Sequence, residues 1–161
     1  MSVIAEIITF FTEEDDVKDL YGVFDIGVDE EELRGEPSPW AVIPPGPEER
    51  ANGGPNAVML QRSWEAASYV RYELWDGEPS ADHSWGHAWI GEVYLSTGRI
   101  SAMSMVPGFT HHHTVFDLGR RATTWRLRVQ WKFLDNDREP LFPRYIYQVD
   151  LFTLQFWPPP S

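Results

Sequence analysis

The sequence predicts an all-β fold, an antiparallel β-sandwich of about eight or nine strands with one long acidic, proline-rich loop. Three observations predict it. Bulky apolar and polar residues alternate along 123–133, short β-branched and aromatic runs recur every ~8–12 residues, and no helical period of about 3.6 residues is present. The 161 residues have the length of one domain, so we expect 1–161 to form a single β-sandwich domain.

The strongest strand signal lies at 123–133, where large apolar residues alternate with polar ones from Trp125 onward. Because successive strand side chains point to opposite faces, one face should enter a core and the other should point outward. An acidic turn at 135–140 and an aromatic run at 144–157 complete a long hairpin. In this second run the apolar side changes after Leu151, which predicts either a β-bulge there or a strand buried on both faces.

Shorter apolar runs predict the other strands. They span residues 3–11, 20–26, 57–62, 69–75, 87–96, 100–105 and 113–118. The sequence Ser-Thr-Gly-Arg at 96–99 predicts a tight hairpin between the fifth and sixth of these strands.

Residues 28–56 are predicted to form one long irregular loop. It opens with the like-charge block 29–32, and six prolines follow between 37 and 55. Because proline lacks the backbone N–H of a sheet ladder, no central strand is expected here. Loops of this length are functional or mobile, and the segment 40–43 could attach this one to the body of the protein.

The negative charge of the chain is concentrated near its start. The formal net charge is −12, and residues 1–50 hold 14 acids and 3 bases, against 11 acids and 10 bases in the remainder. This imbalance argues against non-specific binding to nucleic acid or to an anionic membrane, and it permits a basic protein partner. A solvated face that keeps the protein soluble is the alternative. The candidate partner-binding residues are Glu13, Glu14, Asp15, Asp16, Asp29, Glu30, Glu31, Glu32 and Trp40.

Composition narrows the chemistry further. The chain has no cysteine, which excludes disulfides, thiolate catalysis and cysteine zinc sites. Its first residues have neither the basic start of a signal peptide nor an 18-residue apolar span, so a soluble cytoplasmic protein is expected. No nucleophile elbow, Walker loop or dinucleotide fingerprint is present, and we therefore predict neither an enzyme nor a cofactor.

The histidines offer a possible metal site. On a strand, His111 and His113 would share a face about 7 Å apart, close enough to bind one metal ion. His83 and His87 would lie about 13 Å apart in an extended chain, too far to share an ion. Solvent-exposed loop histidines are the simpler interpretation.

A basic ladder is predicted on the outer face of the 123–133 strand. Arg126, Arg128 and Lys132 alternate there with the apolar residues. They could bind phosphate or a carboxylate-rich partner. The alternative is that they pair with acids on neighbouring strands, each pair contributing only a fraction of a kcal/mol.

The last third of the chain resembles a known group of proteins. The runs Trp-Arg-Leu-Arg-Val at 125–129, Arg-Tyr-Ile-Tyr-Gln at 144–148 and Leu-Gln-Phe-Trp-Pro at 154–158 carry the resemblance, together with Phe-Asp-Leu-Gly at 116–119. Similar runs occur in small bacterial β-sandwich proteins of unknown function, related to the competence-associated inhibitor of a DNA-entry nuclease. The resemblance implies a protein that binds another protein, and it brings no catalytic residues.

Three functional hypotheses follow. The leading one is a non-enzymatic β-sandwich, an inhibitor or immunity-type protein whose acidic surface binds a basic partner such as a nuclease or toxin. The second is a sandwich that binds a metal or small ligand through its loop histidines. The third is a structural or virion assembly component that uses the proline-rich segments as contact arms.

Overall fold

The computed structural model describes residues 3–7, 20–46, 48–62, 67–80, 84–85, 87–106, 109–112, 114–134 and 149–159. Within these ranges the chain forms eleven strands, a short helix α1 (Gly27–Glu30) and one 3-10 turn (Pro39–Ala41). The strands are β1 (Val3–Ile7), β2 (Leu20–Asp25), β3 (Ala51–Gly54), β4 (Ala57–Leu60), β5 (Ala67–Trp75), β6 (His87–Leu95), β7 (Arg99–Val106), β8 (Phe109–His112), β9 (Phe116–Asp117), β10 (Thr123–Leu134) and β11 (Val149–Trp157). None of the helices in the described ranges is long and apolar enough to cross a membrane.

The strands form two sheets, which confirms the predicted sandwich. The five-stranded sheet has the order β1-β5-β11-β10-β6, and the six-stranded sheet has the order β3-β4-β2-β7-β8, with β9 also pairing with β7. One pair departs from the predicted antiparallel pattern, because β11 runs parallel to β5. Strand β11 returns antiparallel beside β10 and meets β5 on its other side, where β5 has the same direction as β11.

The two paired strands of the predicted long hairpin are present as β10 and β11, whereas its acidic turn at 135–140 and residues 144–148 lie outside the described residues. Their register runs without a shift from the pair Arg126–Trp157 to the pair Leu134–Val149. Leu127 and Leu154 are completely buried between the sheets. Leu151 and Thr153, on the other face of β11, are buried as well. The change of apolar side therefore reflects a strand buried on both faces, and the described part of β11 contains no bulge.

The turn at 96–99 corrects the predicted hairpin. It connects β6 of the five-stranded sheet to β7 of the six-stranded sheet, so the chain crosses between the layers instead of folding back within one. The turn needs a left-handed residue at Gly98 (φ 79°), where an added Cβ would lie 2.4 Å from the carbonyl oxygen of Arg120. This crossing brings the ends of the two sheets together.

The segment 28–56 is more ordered than a long irregular loop. It contains most of α1, the 3-10 turn and β3, which forms the edge of the six-stranded sheet. Residues 51–54 lack proline and can offer backbone groups to β4, with which they pair antiparallel. The prediction that no central strand runs here is compatible with this edge position.

Candidate protein-binding surface

The acidic turn, residues 27–36, begins directly after β2. Helix α1 carries Asp29 and Glu30. After the helix, Glu32 (φ 51°) and Gly35 (φ 88°) have positive φ angles. Asp29, Glu30, Glu31 and Glu32 are all solvent-exposed. This part of the predicted partner-binding set is therefore a surface feature at one end of the six-stranded sheet.

Two of the four carboxylates at 29–32 are already paired within the molecule. Arg99 donates to Glu30, and Arg121 forms two hydrogen bonds with Glu31 at 2.9 and 3.0 Å. The hydrogen bond from Arg121 lowers the pKa of Glu31, and the acceptor carboxylates raise the pKa of both arginines. Both pairs are solvent-exposed, so they contribute little to stability. They also cancel part of the negative potential that the sequence predicts here.

Asp29 and Glu32 remain available. Among the described residues, neither carboxylate has an ion pair or a hydrogen bond. Both line one open depression of about 390 Å³, together with Val28, Leu33 and Arg34. Of the acidic block 29–32, two carboxylates are therefore unpaired among the described residues, and both line the same depression.

A buried polar clamp holds the acidic turn to the turn at 96–99. The carboxylate of Asp25 accepts hydrogen bonds from the backbone N–H groups of Gly27, Thr97 and Gly98 at 3.1, 2.8 and 3.0 Å, and from the hydroxyl of Thr97. Asp25 is 1% exposed, so each bond satisfies a group that water does not reach. The clamp fixes where α1 starts.

Asn56 provides the second half of the clamp. Its Nδ2 donates to the carbonyl of Pro37 at 2.8 Å and to the hydroxyl of Ser96 at 2.9 Å, while its Oδ1 accepts from the backbone N–H of Ser96 at 2.7 Å. Ser96 in turn donates to Glu36 at 3.0 Å. Sequence reasoning missed Asp25 and Asn56. The available signals were an acid at a strand end and an asparagine in a turn, and both are too common to stand out.

Trp40 lies on the outer face of the six-stranded sheet, where the 3-10 turn places it. Ser38 caps that turn by accepting the backbone N–H of Trp40 at 3.2 Å. The indole ring contacts the rings of Tyr21 and Phe24, with centroid distances of 5.6 and 4.8 Å. Trp40 is still 43% exposed. It therefore attaches the loop to the sheet and also presents aromatic surface to solvent.

An apolar groove lies beside the 3-10 turn that carries Trp40. It has a volume of about 270 Å³ and is lined chiefly by small and apolar residues. They include Pro37, Ala41, Val42, Ile43, Gly53 and Gly54. Ile43 is 74% exposed, and Trp40 and Ile43 are two of the three large exposed hydrophobic residues in the described ranges. We call Trp40, Ile43 and this groove the apolar patch.

The apolar patch extends a small apolar layer on the outer side of the six-stranded sheet. Phe24, Ala57 and Met59 are buried there, with Val42 packed over them. Tyr21, Met103 and Val115 border the layer and are only partly buried. Contiguous exposed apolar surface beside charged residues is typical of protein interaction sites.

The other candidate residues stay predictions. Glu13, Glu14, Asp15, Asp16 and His113 lie outside the described residues. The backbone of His111 belongs to β8 and pairs with Ser104, but its side chain is not among the parts that the structure describes. In the described part of the chain, no group of three or more metal-ligating side chains comes together.

The predicted basic ladder is corrected by the structure. Arg126 pairs with Glu92 of the neighbouring strand β6 at 3.6 Å, as the alternative interpretation predicted. Arg128 is buried, donates to the carbonyl of Pro79 at 2.8 Å and contacts the ring of Trp157. Lys132 lies 4.5 Å from the ring centroid of Trp85. Pro79 and Trp85 thus contact two of the three bases, so the bases do not form one exposed surface.

Comparison with known proteins identifies two solved structures with a similar fold. One is ComJ of Bacillus subtilis, an inhibitor of the DNA-degrading activity of NucA, with 11% identity and a TM-score of 0.56 over 89% of this chain and 92% of that chain. The other is the product of crocagin biosynthetic gene J, with 17% identity and a TM-score of 0.55 over 99% of this chain and 100% of that chain. No protein-family profile and no curated protein sequence matches the chain. At these identities the likeness concerns the fold.

Proposed function

We propose that this protein is a non-enzymatic, inhibitor or immunity-type binding protein that recognises a basic protein such as a nuclease or toxin. The surface that supports the proposal combines the acidic turn and the apolar patch. One observation carries it: two exposed carboxylates without partners among the described residues, Asp29 and Glu32, lie on the same chain segment as the exposed Trp40 and Ile43.

The two parts of this surface would contribute differently to binding. Exposed carboxylates raise the association rate with a basic partner and make that rate sensitive to salt. An exposed tryptophan beside an apolar groove supplies the area whose burial slows dissociation. Asp29 and Glu32 therefore steer the encounter, and the apolar patch holds the complex.

The fold of the nuclease inhibitor ComJ supports an inhibitory role. A nuclease binds the phosphates of DNA in a cationic groove, and carboxylates can occupy the places of those phosphates. This would block DNA without any reaction on the inhibitor. The pairs Glu30–Arg99 and Glu31–Arg121 would keep the acidic turn in one conformation while Asp29 and Glu32 face the partner.

The test uses purified nucleases, first NucA of Bacillus subtilis and then basic nucleases. DNA degradation is measured with increasing amounts of this protein, and binding kinetics are recorded at ~50 and ~500 mM salt. We expect inhibition, with an association rate that falls steeply at high salt. The double variant Asp29→Asn/Glu32→Gln should associate about tenfold more slowly at low salt.

A matched control removes the same charge from the other sheet. The double variant Glu78→Gln/Glu92→Gln changes two exposed acids that belong neither to the acidic turn nor to the apolar patch, and it should associate like the unmodified protein. Binding that ignores ionic strength, or an equal loss in both double variants, would contradict the proposal. Failure to bind any basic nuclease at ~50 mM salt would also remove it.

A further inference from the structure

A second concave site, lined by residues other than those of the acidic turn, lies at one end of the five-stranded sheet. The parallel strands β5 and β11 finish at this end, and the antiparallel β10 begins there. The residues that follow or begin these strands enclose an open cleft of about 550 Å³. This volume falls in the range of small-ligand sites.

The strand order places the acidic residues and Arg126 on opposite sides of the cleft. Asp76 and Glu78 follow β5, Trp157 ends β11 with Pro158 directly after it, and Arg126 lies near the start of β10. Because β11 lies between β5 and β10, and neighbouring strands are about 4.8 Å apart, the acids and Arg126 should be separated by about 10 Å. Arg120 adds a second guanidinium to the cleft.

Opposite charges of the cleft stay apart from each other. In the described part of the chain, no ion pair joins Arg120 or Arg126 to Glu78. Glu78 and Arg120 are both exposed, and neither carries a side-chain ion pair there. Within the described ranges, the ion pair of Arg126 is a loose contact with Glu92 at 3.6 Å, and its buried Nε has no hydrogen-bond partner.

The floor of the cleft is fixed by the sheet. Trp157 is 5% exposed and pairs in register with Arg126 across β10 and β11. The guanidinium of Arg128 lies 5.7 Å from its ring centroid, and Arg128 is itself anchored on Pro79. A rigid apolar floor between separated charges of opposite sign is preorganised for a ligand that carries both charges.

We propose that this cleft binds a short zwitterionic peptide of two or three residues with free ends. The α-carboxylate would contact Arg120 and Arg126, the α-ammonium would contact Glu78, and the peptide side chains would lie against Trp157 and Pro158. An extended tripeptide spans about 10 Å, which matches the strand spacing. A phosphate or another anion would be repelled by the carboxylates of the cleft, and a simple cation would be repelled by its guanidinium groups.

The test is an NMR titration of the full-length protein with the unblocked tripeptide Ala-Leu-Ala. The indole N–H signal of Trp157, assigned with the variant Trp157→Phe, should shift and saturate with a Kd of about 1 mM. Acetylation of the N-terminus or amidation of the C-terminus should each weaken binding about fivefold, because each removes one charge of the ligand.

Two variants localise the ends of the peptide. Glu78→Gln should weaken binding of the unblocked peptide and leave binding of the N-acetylated peptide unchanged. Arg120→Gln should weaken binding of the unblocked peptide and leave binding of the C-amidated peptide unchanged. Both side chains are exposed, so the fold should be retained. The proposal is overturned by no shift at ~20 mM peptide, or by equal binding of a doubly blocked peptide. None of these outcomes depends on binding by the acidic turn.

Discussion

The outer faces of the two sheets are built from opposite kinds of side chain. The five-stranded sheet carries a buried polar network, in which Glu73 accepts from Trp75 at 2.7 Å and from Gln155 at 3.0 Å. Arg128 extends this network to Pro79. The six-stranded sheet instead carries the apolar layer around Phe24, which the segment with Trp40 covers only in part.

In this protein the polar outer face is largely buried and the apolar outer face is partly exposed, which is the opposite of the usual arrangement. Buried polar groups need hydrogen-bond partners, and on the polar face a covering chain segment supplies some of them, as Pro79 does for Arg128. Apolar side chains need no specific partner, and the apolar face can remain partly open. The open apolar face is thus the better protein-binding candidate, whereas the polar face is mainly structural and has a cleft at one end of its strands.

The largest expected effect concerns the clamp at the end of the six-stranded sheet. Asp25→Ala should lower the free energy of unfolding by about 4 kcal/mol, because buried N–H groups of Thr97 and Gly98 lose their acceptor. Urea denaturation measures the change. Asp117→Ala is the control, since Asp117 is exposed and accepts only from Gly119 among the described residues. Equal losses in the two variants would show that the clamp has no special role.

A somewhat smaller effect is expected on the polar face. Arg128→Ala should cost about 3 kcal/mol, since it leaves the carbonyl of Pro79 without this donor and opens a void beside Trp157. Arg126→Ala, two residues earlier on the same face, should cost less than about 1 kcal/mol because Arg126 is partly exposed. Denaturation midpoints of the two variants test the contrast. If Arg126→Ala lowered the free energy of unfolding as much as Arg128→Ala, the proposed difference between the covered part of this face and its exposed rim would be wrong.

The apolar face should respond in binding more than in stability. Trp40→Ala should lower the free energy of unfolding by about 1 kcal/mol, because the ring is 43% exposed, yet weaken nuclease binding at least about tenfold. Ile90→Ala is the control, as Ile90 is 55% exposed on the five-stranded sheet. Thermal unfolding and binding kinetics measure the two quantities. If Ile90→Ala weakened binding as strongly, the proposed surface would be misplaced.

The smallest effect belongs to the exposed pair Glu31–Arg121. The hydrogen bond from Arg121 holds the pKa of Glu31 below its ordinary value of 4.5. The pair therefore stabilises the fold above pH 4.5, and this contribution is lost as the pH falls through the lowered pKa. The Tm of Glu31→Gln should be slightly below that of the unmodified protein at neutral pH, and the difference should vanish in acid.

Glu32→Gln is the charge-matched control for that comparison. Glu32 belongs to the same turn and has no ion pair among the described residues. Its substitution should not reproduce the acid-sensitive difference in Tm. A difference that persists unchanged at low pH in Glu31→Gln would mean that the lost contact is not ionic.

The strand pattern and the main hairpin were predictable from the sequence. Alternation from Trp125 onward places Trp125, Leu127 and Val129 in the core. The acidic turn was also visible as a charge block. Which of its acids keep a free carboxylate was not predictable, because Arg99 and Arg121 lie far along the chain.

Contacts between the sheets were equally hidden. The hydroxyl of Tyr72 on β5 accepts the backbone N–H of Ala102 on β7 at 2.9 Å, and its ring stacks on Phe116 with the centroids 5.5 Å apart. Burial raises the pKa of this phenol. Nothing in the local sequence distinguishes Tyr72 from the other aromatic residues of the strands.

By itself the sequence determined the β-class, the two core strands and the excess of negative charge, since side-chain alternation and composition are local properties. Only the tertiary structure decided that 96–99 crosses between sheets, that Arg128 is buried, and that Asp29 and Glu32 remain unpaired in the described chain. The physical reason is that burial and ion pairing depend on which distant segments cover a face. Strand periodicity specifies the two faces of a sheet but not their neighbours.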